Sequence, residues 1–118
     1  MTEINIFIKV LTQFLTFLLF HFSPIYKFTI VGKSMAPALQ DRQKVFVSRI
    51  SYWFARPAKG DIVALFDPRD QKILIKRIAK IQGKRYFVLG DNKDHSTDSR
   101  TFGMIAKKDI VGRLISKI

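Results

Sequence analysis

The apolar and polar positions along the chain follow two different patterns, one on each side of Pro24. Before it, Ile4 to Phe22 form a nearly continuous apolar segment with a single charge at Lys9, and this pattern predicts a helix. After it, short runs rich in Ile, Val, Phe and Leu alternate with turn signals, which predicts β-strands. The six predicted strands are Lys27–Val31, Lys44–Ile50, Asp61–Phe66, Lys72–Ile81, Arg85–Leu89 and Ile110–Ile118.

Six short strands with regular turn signals indicate a mainly β protein. We expect a small, curled antiparallel sheet or barrel with an N-terminal apolar helix. The predicted division places a membrane-anchor helix in residues 1–25 and one β-rich domain in residues 26–118. A chain of 118 residues has room for one compact domain of this kind.

The apolar segment has three interpretations. Its uninterrupted part, Val10 to Phe22, is short for a bilayer span, which takes about 20 apolar residues, but Lys9 is placed to reach the headgroups. No small-residue cleavage site follows it, which argues against a removed export signal. We therefore expect a retained membrane anchor, with an interfacial helix and a removed signal as alternatives. The distribution of Lys and Arg leaves the membrane side open.

The composition narrows the choice of partners and chemistry. The formal net charge is +12, from 21 Lys and Arg against 9 Asp and Glu, so the protein attracts anionic lipid, nucleic acid or acidic substrates. The basic residues are scattered between the strands, which is also typical of a solvated surface. The chain has no cysteine, which excludes disulfides, zinc–thiolate sites and thiol catalysis.

Histidine chemistry has little support in the sequence. A Ser–His–Asp triad would need His21, which lies in the apolar segment, or His95, whose acidic and serine neighbours are adjacent only in sequence. The two histidines also lack a third ligand at metal-binding spacing, so we expect neither a metal nor another cofactor.

Lysine is the alternative general base. Its ordinary pKa of about 10.4 makes it useless at neutral pH, but burial among apolar atoms lowers that pKa. Lys76 interrupts an apolar strand and shares a face with Leu74 and Ile78, which predicts burial. Ser34 follows another apolar run and precedes a Met-Ala-Pro turn. Each observation is weak alone, because most strand lysines face solvent.

Taken together and in order, the motifs resemble those of the type I signal peptidase family. The resemblance runs from about Phe28 to the end of the chain. The matching segments are Gly32-Lys33-Ser34-Met35-Ala36-Pro37-Ala38-Leu39, Asp41 to Val47, Gly60-Asp61-Ile62-Val63, Lys76-Arg77-Ile78, and the polar stretch Gly90–Gly103, GDNKDHSTDSRTFG.

The resemblance implies a role for each motif residue. Ser34 would be the nucleophile, and neutral Lys76 would accept its proton. Ser96 would orient the lysine amine, while Asp98 and Arg100 would form a supporting ion pair. Two further sets of residues are implied in the site. The turn and the oxyanion site would be shaped by the backbone N–H groups around the nucleophile together with Gly32, Met35 and Pro37. The polar loop would begin with Gly90, Asp91 and Asn92.

The chain also departs from the family pattern. Ala38 replaces a usual Thr, and Gly32 lacks the hydroxyl that some relatives use as an oxyanion donor. Lys33 adds positive potential that we expect to keep Lys76 deprotonated. Only thirteen residues separate Lys76 from Gly90, where larger relatives carry an insertion. This compact form also resembles the maturation proteases of nickel-type superoxide dismutase.

We therefore expect a membrane-associated serine endopeptidase that removes signal or leader peptides by cutting after small residues at the first and third positions. The expected partners are a precursor polypeptide and anionic membrane lipid, and no nucleic acid. The resemblance implies an extracytoplasmic catalytic domain, and Ser51–Phe54 between Arg49 and Arg56 is a candidate membrane contact. The alternatives are a dedicated maturation protease, a self-cleaving Ser–Lys repressor-type protease, and a non-catalytic basic β domain that binds membranes or nucleic acid.

Overall fold

The structure is a computed structural model that describes residues 2–21 and 24–118. A long N-terminal helix is followed by seven strands with short helices between them. The helices are α1 (Thr2–His21), α2 (Ser51–Phe54) and α3 (Ser99–Phe102), and short 3₁₀ turns cover Lys93–His95 and Lys107–Asp109. The strands are β1 (Ile25–Thr29), β2 (Lys44–Ser48), β3 (Ile62–Phe66), β4 (Ile73–Gln82), β5 (Arg85–Leu89), β6 (Ile105–Ala106) and β7 (Ile110–Lys117).

The strands form one antiparallel sheet in the order β1-β2-β7-β3-β4-β5-β6. Register shifts in the β2–β7, β3–β7 and β4–β5 pairs bend the strands, and the sheet curls into a half-barrel. The predicted mainly β fold with an N-terminal helix is thereby confirmed. β6 was not predicted, because two residues give too little pattern to recognise.

The first strand lies two residues earlier than predicted, at Ile25–Thr29 instead of Lys27–Val31. Ile30 leaves the strand because its backbone bonds with the turn after Gln40: its N–H donates to Gln43, and its carbonyl accepts from Arg42. The chain therefore turns away from the sheet immediately before the predicted nucleophile.

Two apolar clusters cover the central strands. One contains Val63 and Ile78 and is completed by Tyr52, Leu65, Tyr86, Val88 and Ile105. The other contains Ile30, Met35, Leu39 and Val45. Ile62 and Ile75 pack against this second cluster, so alternating residues of β3 and β4 contribute to different clusters.

Helix α1 confirms the predicted N-terminal helix. Within residues 2–21 and 24–118, no helix has the combination of length and apolar character that crossing a bilayer requires. Phe22, the end of the predicted apolar segment, lies outside the described residues. The predicted division of the chain after residue 25 stays a prediction.

Candidate active site

Ser34 lies in a tight turn that is anchored by the side chain after it. Met35 is only 1% exposed and packs with Ile30, Leu39 and Val45, and its carbonyl accepts the Leu39 N–H at 2.9 Å. Pro37, which follows a cis peptide bond, lies in the same turn. Burial of Met35 on one side leaves the adjacent Ser34 half-exposed on the other.

Gly32 holds the start of this turn in place. Its φ of +90° favours glycine, because a Cβ is strained in that region. Its N–H donates to the Asp41 carboxylate at 2.8 Å and is therefore occupied. The N–H of Ser34 donates to no other residue in the described part of the chain, so it is available to a substrate oxygen. Asp41 was part of a matched motif, but no side-chain role was predicted for it.

Lys76 is buried as predicted, at 4% exposure, in the middle of β4. Burial lowers the pKa of its amine, the nearby Asp98 carboxylate raises it, and the Arg100 guanidinium lowers it. The cationic group that lowers the pKa of Lys76 is therefore Arg100. Lys33, which we expected to supply it, is exposed and makes no such contribution.

Ser34 and Lys76 line the same cavity, which has a volume of about 200 Å³. Its walls are the chain from Phe28 to Val31 and the first half of β4, Ile73 to Lys76. In the described chain, β5 pairs with β4 only from Arg77 onward, so one edge of this first half is open for a further strand. No hydrogen bond joins the Lys76 amine to Ser34 or Ser96 among the described residues.

Asp98 is the centre of the polar loop and is fully buried. Its carboxylate accepts hydrogen bonds from Ser96 Oγ at 2.8 Å, from Gly90 N–H at 3.0 Å, and from Arg100 Nε at 3.0 Å. Burial alone would raise the pKa of Asp98, but these hydrogen bonds together hold that pKa well below its ordinary range. The Ser96 hydroxyl donates its hydrogen to the Asp98 carboxylate. The lone pairs of Ser96 Oγ therefore remain available to accept a hydrogen bond from an amine.

A second ion pair fixes the beginning of the loop. Arg77 donates to both oxygens of Asp91, at 2.9 and 2.8 Å, and to the Gly60 carbonyl at 2.9 Å. Because the pair is bidentate, it sets the orientation of the loop as well as its distance from β4. The sequence placed Arg77 in a motif but gave it no role. Its position directly after Lys76 was the available signal.

The polar loop also contacts the Ser34 turn directly. The Asn92 N–H donates to the Ser34 carbonyl at 2.9 Å, and its side-chain amide donates to the Lys33 carbonyl at 3.1 Å. Gly90 permits this approach, since a Cβ there would lie 2.6 Å from the Ser34 carbonyl oxygen and would overlap Ser96. Ser34 and Lys76 thus line one cavity, and the polar loop contacts the Ser34 turn through Asn92 without lining that cavity.

We expect Asn92→Ala to lower kcat/KM for the precursor cleavage that the resemblance implies by about tenfold, because the lost side-chain bond loosens the turn that carries Ser34. The measurement is the initial rate with a purified precursor. His95→Ala is the matched control: His95 is exposed on the same loop, and its N–H donates to the Asn92 carbonyl whichever side chain it has. A loss with His95→Ala equal to that with Asn92→Ala would contradict this interpretation and revive histidine chemistry.

Comparisons with known proteins identify the family of the chain. The profile of the family described as signal peptidase, peptidase S26, matches residues 3–85 and 79–118. Signal peptidase I U of Bacillus subtilis (strain 168) is 25% identical over 132 residues, covering 72% of this chain and 71% of that protein. Signal peptidase I V of the same strain is 27% identical over 136 residues, covering 72% of this chain and 80% of that protein.

A eukaryotic protein is also similar to this chain in sequence. The human mitochondrial inner membrane protease subunit 1 is 32% identical over 108 residues, covering 74% of this chain and 65% of that protein. The family profile extends from the N-terminal helix to the last residue and includes every segment around the cavity. The chain belongs to the signal peptidase family, peptidase S26, and is a serine endopeptidase.

Proposed function

We propose that this protein is a membrane-associated endopeptidase that removes signal or leader peptides from precursor proteins, with Ser34 as nucleophile and Lys76 as general base. One observation carries the proposal. A lysine amine that is buried and has a lowered pKa lines the same cavity as a half-exposed serine in a tight turn. Neutral lysine accepts a proton from a serine hydroxyl, which protonated lysine does not do.

The proposed reaction begins when the Ser34 hydroxyl gives its proton to neutral Lys76 as the oxygen attacks the scissile carbonyl. The Ser34 N–H donates to the oxyanion that develops. Protonated Lys76 then gives its proton to the leaving amine, and an acyl-enzyme on Ser34 remains. Lys76 next takes a proton from water, whose oxygen attacks the ester, and Lys76 returns that proton to the Ser34 oxygen as the second product leaves. Ser96, held by Asp98, offers lone pairs that keep the amine aimed at Ser34.

The substrate is proposed to bind as an extended strand across the cavity. Backbone groups of residues 28–31 and of the open edge of residues 73–75 flank it on two sides. A peptide added there makes main-chain hydrogen bonds that do not depend on its sequence, so specificity falls to the side-chain pockets. The family resemblance implies small side chains at the first and third positions before the cut.

Membrane association is supported by exposed apolar surface at two places. On α1, nine large apolar side chains are 45–66% exposed: Ile4, Ile6, Phe7, Ile8, Val10, Leu11, Phe14, Leu15 and Phe17. Trp53 and Phe54 of α2 are exposed as well. We propose that these two surfaces hold the catalytic domain at a bilayer, on the extracytoplasmic side that the resemblance implies.

The purified protein is expected to cut a secretory precursor that has Ala at the first and third positions before the cut. Replacing the first Ala with Phe is expected to lower kcat/KM by at least about 100-fold, because the added volume does not fit a close-packed pocket. Mass spectrometry of the products maps the cut.

A nickel-type superoxide dismutase precursor is tested in parallel. The reason is the compact form of the chain, in which Gly83 and Lys84 form a tight turn between β4 and β5. Cleavage of that precursor alone would favour a dedicated maturation protease, and cleavage of neither precursor would contradict peptidase action.

A further inference from the structure

A second cavity lies at the β4–β5 turn, away from the catalytic residues. It has a volume of about 240 Å³ and is lined by Arg56, Gly83, Lys84, Tyr86 and Lys107. The turn follows Gln82, six strand residues beyond Lys76, which corresponds to about 20 Å along β4. This cavity therefore has no part in the proposed cleavage chemistry.

The charges around this second cavity are all positive. Arg56, Lys84 and Lys107 make no side-chain hydrogen bond or ion pair with any other residue of the described ranges, and none of the lining residues is acidic. Asp109, the nearest acidic residue in sequence, already accepts the Ala106 N–H at 3.1 Å. Four other arginines of the chain are instead paired with aspartates: Arg69, Arg77, Arg100 and Arg113. Three unpaired cations around one concavity form a site for an anion.

An exposed aromatic tip adjoins these cations. Trp53 is 67% exposed and Phe54 is 88% exposed at the end of α2, two residues before Arg56. Lys107 lines both the second cavity and a neighbouring one, which Trp53 also lines. The aromatic tip and the anion site are therefore joined through shared residues on one surface.

We propose that the second cavity binds the phosphate of an anionic phospholipid while Trp53 and Phe54 enter the interfacial layer of the bilayer. Aromatic side chains with basic neighbours favour the membrane interface, where the rings contact acyl chains and the cations meet headgroups. A free phosphate would use the cations but would leave both rings in water, so the exposed rings favour lipid. The inference rests on the proposed membrane association but not on the Ser34–Lys76 chemistry.

Trp53 is the only tryptophan of the chain, so its fluorescence reports directly on the tip. The full-length protein is titrated with phosphatidylcholine vesicles and with vesicles that contain about 30% phosphatidylglycerol. We expect a blue shift, and quenching by brominated acyl chains, that are stronger with the anionic vesicles. The triple variant R56Q/K84Q/K107Q is expected to partition into anionic vesicles about 100-fold more weakly, at roughly tenfold or less per cation removed.

The matched control is R42Q/K44Q/K72Q, which removes the same charge from exposed residues that line none of the three cavities. It is expected to lose less than about threefold, since only the general field is reduced. Equal losses in the two triple variants would overturn the site in favour of general attraction. The proposal that the ligand is a lipid would be overturned by a different result. In that result, inorganic phosphate abolishes binding to the vesicles, and brominated acyl chains do not quench Trp53.

Two further measurements separate this inference from the proposed function. The cavity variant is expected to cleave a soluble precursor peptide in detergent at the wild-type rate, which also shows that it folds. Ser34→Ala is expected to bind anionic vesicles as the wild type does. If the wild type binds vesicles but does not cleave the precursor, only the protease mechanism is refuted. If it cleaves the precursor but its Trp53 fluorescence does not respond to the vesicles, only the lipid site is refuted.

Discussion

Replacing Lys76 with methionine is expected to lower kcat/KM for precursor cleavage by at least about 10⁴-fold, and Ser34→Ala is expected to do the same. Methionine has similar length and no charge, so it fills the buried position at 4% exposure without a desolvation cost. The proton acceptor is lost while the strand is kept. Initial rates with a purified precursor measure the effect, and circular dichroism reports the fold.

Lys80→Met is the matched control for this loss, because Lys80 is exposed on the same strand and lines none of the described cavities. It is expected to retain the wild-type rate. The double variant with both Ser34 and Lys76 replaced is expected to be no worse than either single variant, since the two side chains act as a unit. More than a tenth of wild-type activity in either single variant would show that another residue performs its role.

The pH profile provides a second readout for the same pair. The neutral amine is the active form, so kcat/KM is expected to rise with pH through the pKa of Lys76. That pKa is lowered by burial, and the rise is therefore expected below the ordinary range of lysine. A profile that falls across this range would mean that the protonated amine is the active form.

The second large effect is expected from Asp98→Asn, which should lower the free energy of unfolding by about 3 kcal/mol. The amide keeps the size of the side chain, but it carries no charge for Arg100. Its NH₂ group faces hydrogen-bond donors in either orientation: Gly90 N–H and Ser96 Oγ at the Oδ2 position, or the Arg100 N–H groups at the Oδ1 position. Urea unfolding at pH 7 measures the change. Asp94→Asn, at an exposed position of the same loop, is the control and is expected to change stability by less than about 0.5 kcal/mol.

The pH dependence of stability tests the same contacts. The pKa of Asp98 is lowered from 3.8 on folding, so the stabilisation is complete above that value and is lost as the pH falls through the folded pKa. Wild-type stability is therefore expected to decrease below about pH 4, and Asp98→Asn is expected to show a weaker decrease. Asp67, whose pKa is also lowered by Arg69, leaves a residual slope in both proteins. Parallel curves would show that the Asp98 contacts contribute little.

Asp98→Asn also separates stability from catalysis. The Asp98 carboxylate raises the pKa of Lys76, so its removal is expected to move the rising limb of the activity profile to lower pH. A purely structural role would lower the rate without moving that limb. The direction of the shift is therefore the distinguishing observation.

The local pattern of apolar runs and turn residues was sufficient to predict most of the fold. All six predicted strands were found within two residues of their predicted bounds, because strand runs and turn signals act over a few neighbouring residues. The first strand was shifted because Ile30 bonds with residues of the turn that follows Gln40, a contact that its own neighbours do not encode. The role of Asp41, which holds the Gly32 N–H, depends on the same long-range approach.

The sequence by itself supplied the candidates for the proposed chemistry: the serine in its turn, the lysine in an apolar strand, and the polar loop that begins at Gly90. The strand pattern predicted burial of Lys76, but only the tertiary structure decided that its desolvated amine lies near Asp98, that Arg100 rather than Lys33 supplies the nearby positive charge, and that Arg77 anchors the loop. The physical reason is that desolvation and Coulomb interactions depend on distance in space, and these distances arise only when separate strands and loops pack together.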